Sequence, residues 1–201
     1  MKSHRLILPA AVLLELVPQA AQAHGALEGV GDFYAGLLHP FVAPAEALAI
    51  VATGLLMGRS GLAACRYGIV AFGSALAAGL AFGSMIDPGS DRTTLLALLA
   101  SIMAAVVITG LRAPLWIGAT LAVLAGVVVG IDATPSRTTP SGILLTGLAT
   151  LLAGTALITM AAGLALRAAQ HWQRVAVQVA GSWIAASAIL LLAYQLVGFH
   201  R

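Results

Sequence analysis

Six runs of 17 to 25 residues, almost free of charge, constrain this chain more than any other feature. They are roughly Phe33–Met57, Tyr67–Ile86, Thr93–Gly110, Leu115–Ile131, Ile143–Leu166 and Val175–Phe199. About 20 apolar residues in a helix cross the ~30 Å hydrocarbon core of a bilayer. In lipid every backbone N–H and C=O must be paired within protein, which leaves helices and closed barrels. A barrel needs segments of about ten residues that alternate apolar and polar, and these runs are continuous. Only 8% of the 201 residues are charged and 60% are hydrophobic, whereas a soluble domain carries about 25% charged residues. The expected fold class is all-α: a polytopic membrane bundle of six transmembrane helices after a cleavable signal peptide. The third and fourth spans are short enough to run nearly perpendicular to the membrane.

Residues 1 to 23 have the layout of that signal peptide. Lys2 and Arg5 form a basic start, Leu6 to Val17 an apolar middle interrupted by Glu15, and Pro18 a break. Ala21-Gln22-Ala23 fits the small-x-small cleavage pattern. Cleavage makes His24 the new N-terminus, and residues 24 to 201 form the six-helix domain; an uncleaved signal anchor is the rival reading. With the mature N-terminus outside, Arg59, Arg66, Arg112, Arg167 and Arg174 fall inside, and Arg92, Arg137 and Arg201 outside. That bias follows the positive-inside rule. Glu28, Asp32, Asp87, Asp91 and Asp132 all fall at the outer face, where they would draw in cations. The expected location is the bacterial inner membrane, with both mature termini periplasmic.

Packing signals are plain. Gly54/Gly58, Gly79/Gly83 and Gly126/Gly130 are GxxxG pairs that let helix backbones approach closely within the bundle; a dimer face is the weaker reading. Tyr67, Trp116 and Trp172 sit near span ends, as interfacial aromatics do, and Trp183 is expected to pack at depth. Cys65 is the single cysteine and reads as a small filler at a helix end. There is no dinucleotide fingerprint, phosphate loop, CxxCH or HExxH, and no basic stripe with aromatics for nucleic acid. No nucleophile–base pair is visible, so the chain reads as a non-enzyme with no permanently bound cofactor.

The chemistry concentrates in the first span. Glu46 lies near the middle of an otherwise uncharged stretch, with His39 seven residues earlier, two turns away on the same face. An ionisable side chain at such a depth is costly and usually faces a cavity, a partner or an ion path. Pro40 and Pro44 remove backbone donors and free the carbonyls of Gly36 and Pro40, so this region should face protein or a water-filled cavity. On a continuous helix His39 sits about 9 Å and Glu46 about 20 Å from the start, stations on a stepwise path for a divalent cation. Imidazole suits nickel, copper and zinc, and carboxylate compensates charge. The structural alternative is that His39 ties two helices together and Glu46 bonds a Ser or Thr across the bundle. His24 could bind metal through its amine and imidazole or be an exposed terminus. Asp132 is either an ion contact or a helix-end residue. Asp32 reads as a helix N-cap, His171 as interfacial decoration, and His200 as tail.

The mature chain resembles the HupE/UreJ family of hydrogenase and urease accessory membrane proteins. The likeness rests on a signal ending at Ala23-His24-Gly25 and an aromatic-x-x-Gly-x-x-His-Pro start from Phe33 to Pro40. It continues in Val51-Ala52-Thr53-Gly54-Leu55, six spans in all, and a closing span with Arg174 and Gly181. The resemblance implies nickel uptake through a His-Pro-x-x-x-x-Asp-His pattern. His39 and Pro40 match it, while Ala45 and Glu46 occupy the Asp and His positions. Gly130-Ile131-Asp132 stands where the family has a His-rich stretch.

These readings converge on a potential-driven permease for a divalent metal, nickel by resemblance, bound transiently at His39, Glu46, His24 and Asp132. Its partners would be the lipid bilayer and the ion, with no nucleic acid. The competing expectation is a non-transporting assembly protein of a hydrogenase, urease or respiratory system, joined to a second copy or a maturation partner.

Overall fold

The computed structural model describes residues 31–86, 92–134 and 139–198. The expected signal peptide, His24, the 87–91 turn, Arg137, His200 and Arg201 lie outside the described residues. Seven α-helices are present among the described residues: α1 Asp32–Val42, α2 Pro44–Ser60, α3 Leu62–Phe82, α4 Arg92–Thr109, α5 Leu115–Asp132, α6 Pro140–Leu166 and α7 His171–Gly198. A 3-10 turn, Gly83–Met85, ends α3. No strand occurs among the described residues. The α3-plus-3-10 segment and α4 to α7 are each long and apolar enough to cross a membrane, and α1 with α2 makes a sixth span if the bent pair is counted as one. Large apolar side chains cover the outside, among them Val70, Leu144, Leu164 and Leu190; in water such a surface would aggregate. The protein is an integral membrane protein.

The first span differs from expectation. It is not one kinked helix but two helices bent by 72°. Ala43 takes an extended backbone, φ −99° and ψ 95°. The cause is local: a residue before proline is driven out of the helical region, and Pro44 then serves as the first residue of a new helix, where its missing N–H costs nothing. Glu46 therefore sits in the first turn of α2 rather than at mid-helix.

Helix α2 is the hub and touches every other helix. Eleven of its residues, Ala45 through Gly58, are buried. Gly54 and Gly58 press on α6, where an added Cβ would come within 2.6 Å of Ala161 Cβ and 2.5 Å of Ala165 Cβ respectively. Helices α3 and α5 share the most extensive seam. There Gly79 faces Gly130 and Gly126 faces Phe72; a Cβ on Gly130 would stand 2.8 Å from Gly79 Cα. All three GxxxG pairs thus pack inside the bundle. Cys65 is buried near the start of α3. Gly61, at φ +109°, makes the one-residue turn between α2 and α3, a conformation side chains resist.

Two further readings are corrected. Asp32 does not cap α1: Gly31 is the N-cap and Asp32 is the first helical residue. Its charge still suits the positive helix end. Trp183 does not pack within the bundle but lies 71% exposed on α7, on a stretch where Val179 and Leu190 are exposed as well.

Candidate cation site

The bend brings its chemistry together. His39 closes the last turn of α1 and Glu46 opens the first turn of α2, on either side of Ala43. On a continuous helix seven residues would separate them by about 10 Å along the axis. Across the bend, His39 Nε2 stands 3.1 Å from Glu46 Oε1. The two side chains therefore form one site instead of two stations. The third member comes from a distant part of the chain. Asp132, the last residue of α5, joins His39 and Glu46 so that one potential ligand atom from each lies within 4.8 Å of the others. His39 and Glu46 are buried, Glu46 completely, and Asp132 is half-buried. His24 lies outside the described residues. The structure thus gathers three of the four sequence candidates.

Backbone dipoles divide the cluster. Glu46 occupies the third position of α2, close to the positive N-terminal end, which favours a carboxylate. Asp132 and His39 lie in the last turns of α5 and α1, whose negative ends favour a cation. Glu46 Oε2 is buried without a hydrogen-bond partner. An unpaired buried carboxylate oxygen costs several kcal/mol in ordinary protein surroundings, and a second carboxylate nearby adds repulsion. His39, when protonated, offsets one of the two negative charges, and Arg92, whose Nη1 donates to the carbonyl of Ile131 at 3.4 Å, brings a second positive charge to the end of α5 beside Asp132. Two carboxylates and one imidazole at this spacing are chemically a cation-binding donor set.

The shell around the site supplies a partner for one of the two carbonyls that the prolines free. Pro40 cannot donate to the carbonyl of Gly36, and the Thr150 hydroxyl donates to it at 3.1 Å. One turn earlier Thr146 Oγ1 donates to the carbonyl of Asp32 at 3.0 Å. Both threonines are on α6, four residues apart, so they form a two-rung ladder along α1. Gly36 makes the ladder possible, because any Cβ there would collide with the Thr146 backbone. The carbonyl of Gly36 thus faces protein, while Phe41 and Pro44 on the other side of the bend are exposed. Sequence reasoning passed over both threonines. Their signal was a pair one turn apart in an apolar span, opposite a carbonyl known to be free.

Deeper in α2, the Thr53 hydroxyl donates to Ala49 O at 2.6 Å and contacts Met103 Sδ at 3.2 Å. On the lipid side of the bend, Pro44, Ala47, Leu48, Ser187, Leu190 and Leu191 line an apolar groove of about 380 Å³. It contains no ligating charge and has no part in the cluster. His171 is exposed at the start of α7, away from the site.

A family model described as HupE / UreJ protein matches residues 12–191. No curated protein and no solved structure matches the chain.

Proposed function

This chain belongs to the HupE/UreJ family, and from that premise and the geometry of the cluster we propose that it is a permease for a divalent metal cation, nickel or cobalt. His39, Glu46 and Asp132 are the ligands that receive the ion, and the metal is cargo rather than a resident cofactor. One observation carries this reading: potential ligand atoms from three separate helices lie within 4.8 Å of one another, and one of the Glu46 carboxylate oxygens is buried there without a hydrogen-bond partner. A doubly charged ion balances the two carboxylates, and the imidazole supplies the nitrogen that borderline metals favour. Water completes the coordination.

The chain carries no nucleotide-binding motif, so the membrane potential drives entry. A doubly charged ion moving inward gains about 4.6 kcal/mol per 100 mV. Glu46 has no exposed surface and Asp132 is half-buried, so this conformation seals the inner ligand and leaves the outer one partly open. Opening would occur at Ala43, the extended link between two rigid helices. The arginine-rich end lies in the cytoplasm and the cluster toward the outside, in the bacterial inner membrane. Nickel accumulation in cells tests the proposal. Glu46→Ala and His39→Ala are each expected to reduce uptake to the level of cells lacking the protein. Wild-type uptake in both variants, at equal protein levels, would refute the site.

A further inference from the structure

The end of the bundle opposite the cation cluster poses a separate electrostatic problem. Arg59 ends α2, Arg112 lies in the α4–α5 connection, and Arg174 is in the first turns of α7. The α4–α5 connection is tied to the end of α2 by Arg59 Nη2 donating to Gly110 O and Ala113 N donating to Ser60 Oγ. One turn beyond Arg174, α7 reaches the last turn of α4, which leads into the same connection: Gln178 Nε2 donates to Ile108 O at 2.9 Å. The charges of Arg112 and Arg174 therefore bear on Arg59. Arg66 and Arg167 belong to the same end of the bundle. Among the described residues the acids are Asp32, Glu46 and Asp132, all toward the other end, so no carboxylate there offsets these charges.

The available partners are carbonyls. Arg59 Nη2 donates to Gly110 O at 2.9 Å, and Arg174 Nη2 donates to Ala169 O at 2.8 Å. These contacts hold the guanidinium groups in place without neutralising them. Arg59 Nε, moreover, is buried and lacks a hydrogen-bond partner. An unsatisfied donor on a cation that is held beside two more cations gains most from an acceptor that carries negative charge. The level of the cluster in the membrane is marked by exposed Tyr67, Trp116 and Trp172, each near the start of a helix at this end. Aromatic side chains so placed mark the headgroup layer.

We propose that Arg59, Arg112 and Arg174 form a binding site for a phosphate group, supplied by an anionic phospholipid of the surrounding leaflet. Guanidinium forks match phosphate oxygens, and basic recesses between helix ends favour anionic headgroups. Phosphate bound there would bridge the end of α2, the α4–α5 connection and the start of α7. Free inorganic phosphate presents the same chemistry, so the experiment must separate the two sources.

The full chain is placed in phosphatidylcholine nanodiscs containing a minor fraction of phosphatidylglycerol, and retained lipid is counted by native mass spectrometry after gentle release. Wild type is expected to retain phosphatidylglycerol preferentially. Arg112→Gln/Arg174→Gln is expected to weaken that preference on the order of tenfold or more. Arg59→Gln serves as an independent second variant. Arg66→Gln/Arg167→Gln removes the same charge from the same end and should retain the preference. Inorganic phosphate is titrated in parallel. Arginine-dependent binding of phosphate, without preference for the anionic lipid, keeps the site and reassigns its source. Equal losses in the two double variants would reduce the cluster to a diffuse basic patch and overturn the proposal. So would an absence of arginine dependence for both ligands.

Discussion

The seam between α3 and α5 and the seam between α1 and α6 bring helix backbones equally close by different means. In the first, Gly79, Gly126 and Gly130 let main chain meet main chain, and nothing in the contact is charged. In the second, Gly36 gives the close approach, but Thr146 and Thr150 must also pair the carbonyls of a helix interrupted by proline. The α3–α5 seam ends with Asp132 and the α1–α6 seam ends with His39, so the His39–Glu46–Asp132 cluster forms where a glycine-lined seam meets a jointed one. Small residues fix the bundle, whereas the broken backbone collects the polar groups. In lipid both seams depend on close packing and hydrogen bonds, since burial from water gives helices no driving force there.

Substitutions should separate the two. The largest effect on folding is expected from Gly130→Leu, whose side chain would enter the space of Gly79 and Leu80. The expected loss is about 3 kcal/mol or more, read as a fall in thermal midpoint in detergent. A small change there would mean that the α3–α5 seam is softer than the α1–α6 seam, contrary to this comparison.

Glu46→Gln should do the reverse. It removes a buried, partly unpaired charge, so the midpoint should hold or rise. Cation affinity should fall on the order of a hundredfold, at least as much as loss of an outer-shell partner costs in other metal sites. A clear drop in the midpoint would instead make the His39–Glu46 contact a structural tie between helices.

Asp132→Asn ranks third. Its half-buried carboxylate contributes charge from the end of α5, and about a tenfold loss of affinity is expected with the fold unchanged. Titration calorimetry would register this, and an unchanged affinity would remove α5 from the site. Thr150→Val is the gentlest test. It leaves the Gly36 carbonyl without its donor, and interhelical bonds of this kind are worth about 0.6 kcal/mol in membranes. A shift of that size in reversible unfolding would support the ladder, while none would mean that water or a neighbouring group replaces the hydroxyl.

Which features were legible in the sequence follows the same division. The spans were readable because long uncharged runs have one use in lipid, and the five later helices fall close to the expected limits. The glycine pairs were readable because glycine at that spacing exposes backbone and little else. The break at Ala43 was missed although its signal was present: Pro44 both restrains Ala43 and starts a helix well. Reading the two prolines as kinks preserved a continuous helix and kept His39 about 10 Å from Glu46. The approach of Asp132 could not be deduced by spacing, because it depends on which helices become neighbours after folding. Trp183 was misjudged for a related reason, since depth along a helix does not say which side faces lipid.

The central claim, that His39, Glu46 and Asp132 together hold one divalent cation, is tested most directly by counting metal. The purified chain is equilibrated with nickel at a concentration that saturates wild type, and metal per protein is determined by elemental analysis. The account predicts one ion per chain in wild type and strongly reduced occupancy in Glu46→Gln and Asp132→Asn, each still folded. Nickel retained equally by all three proteins, or by none, would contradict it.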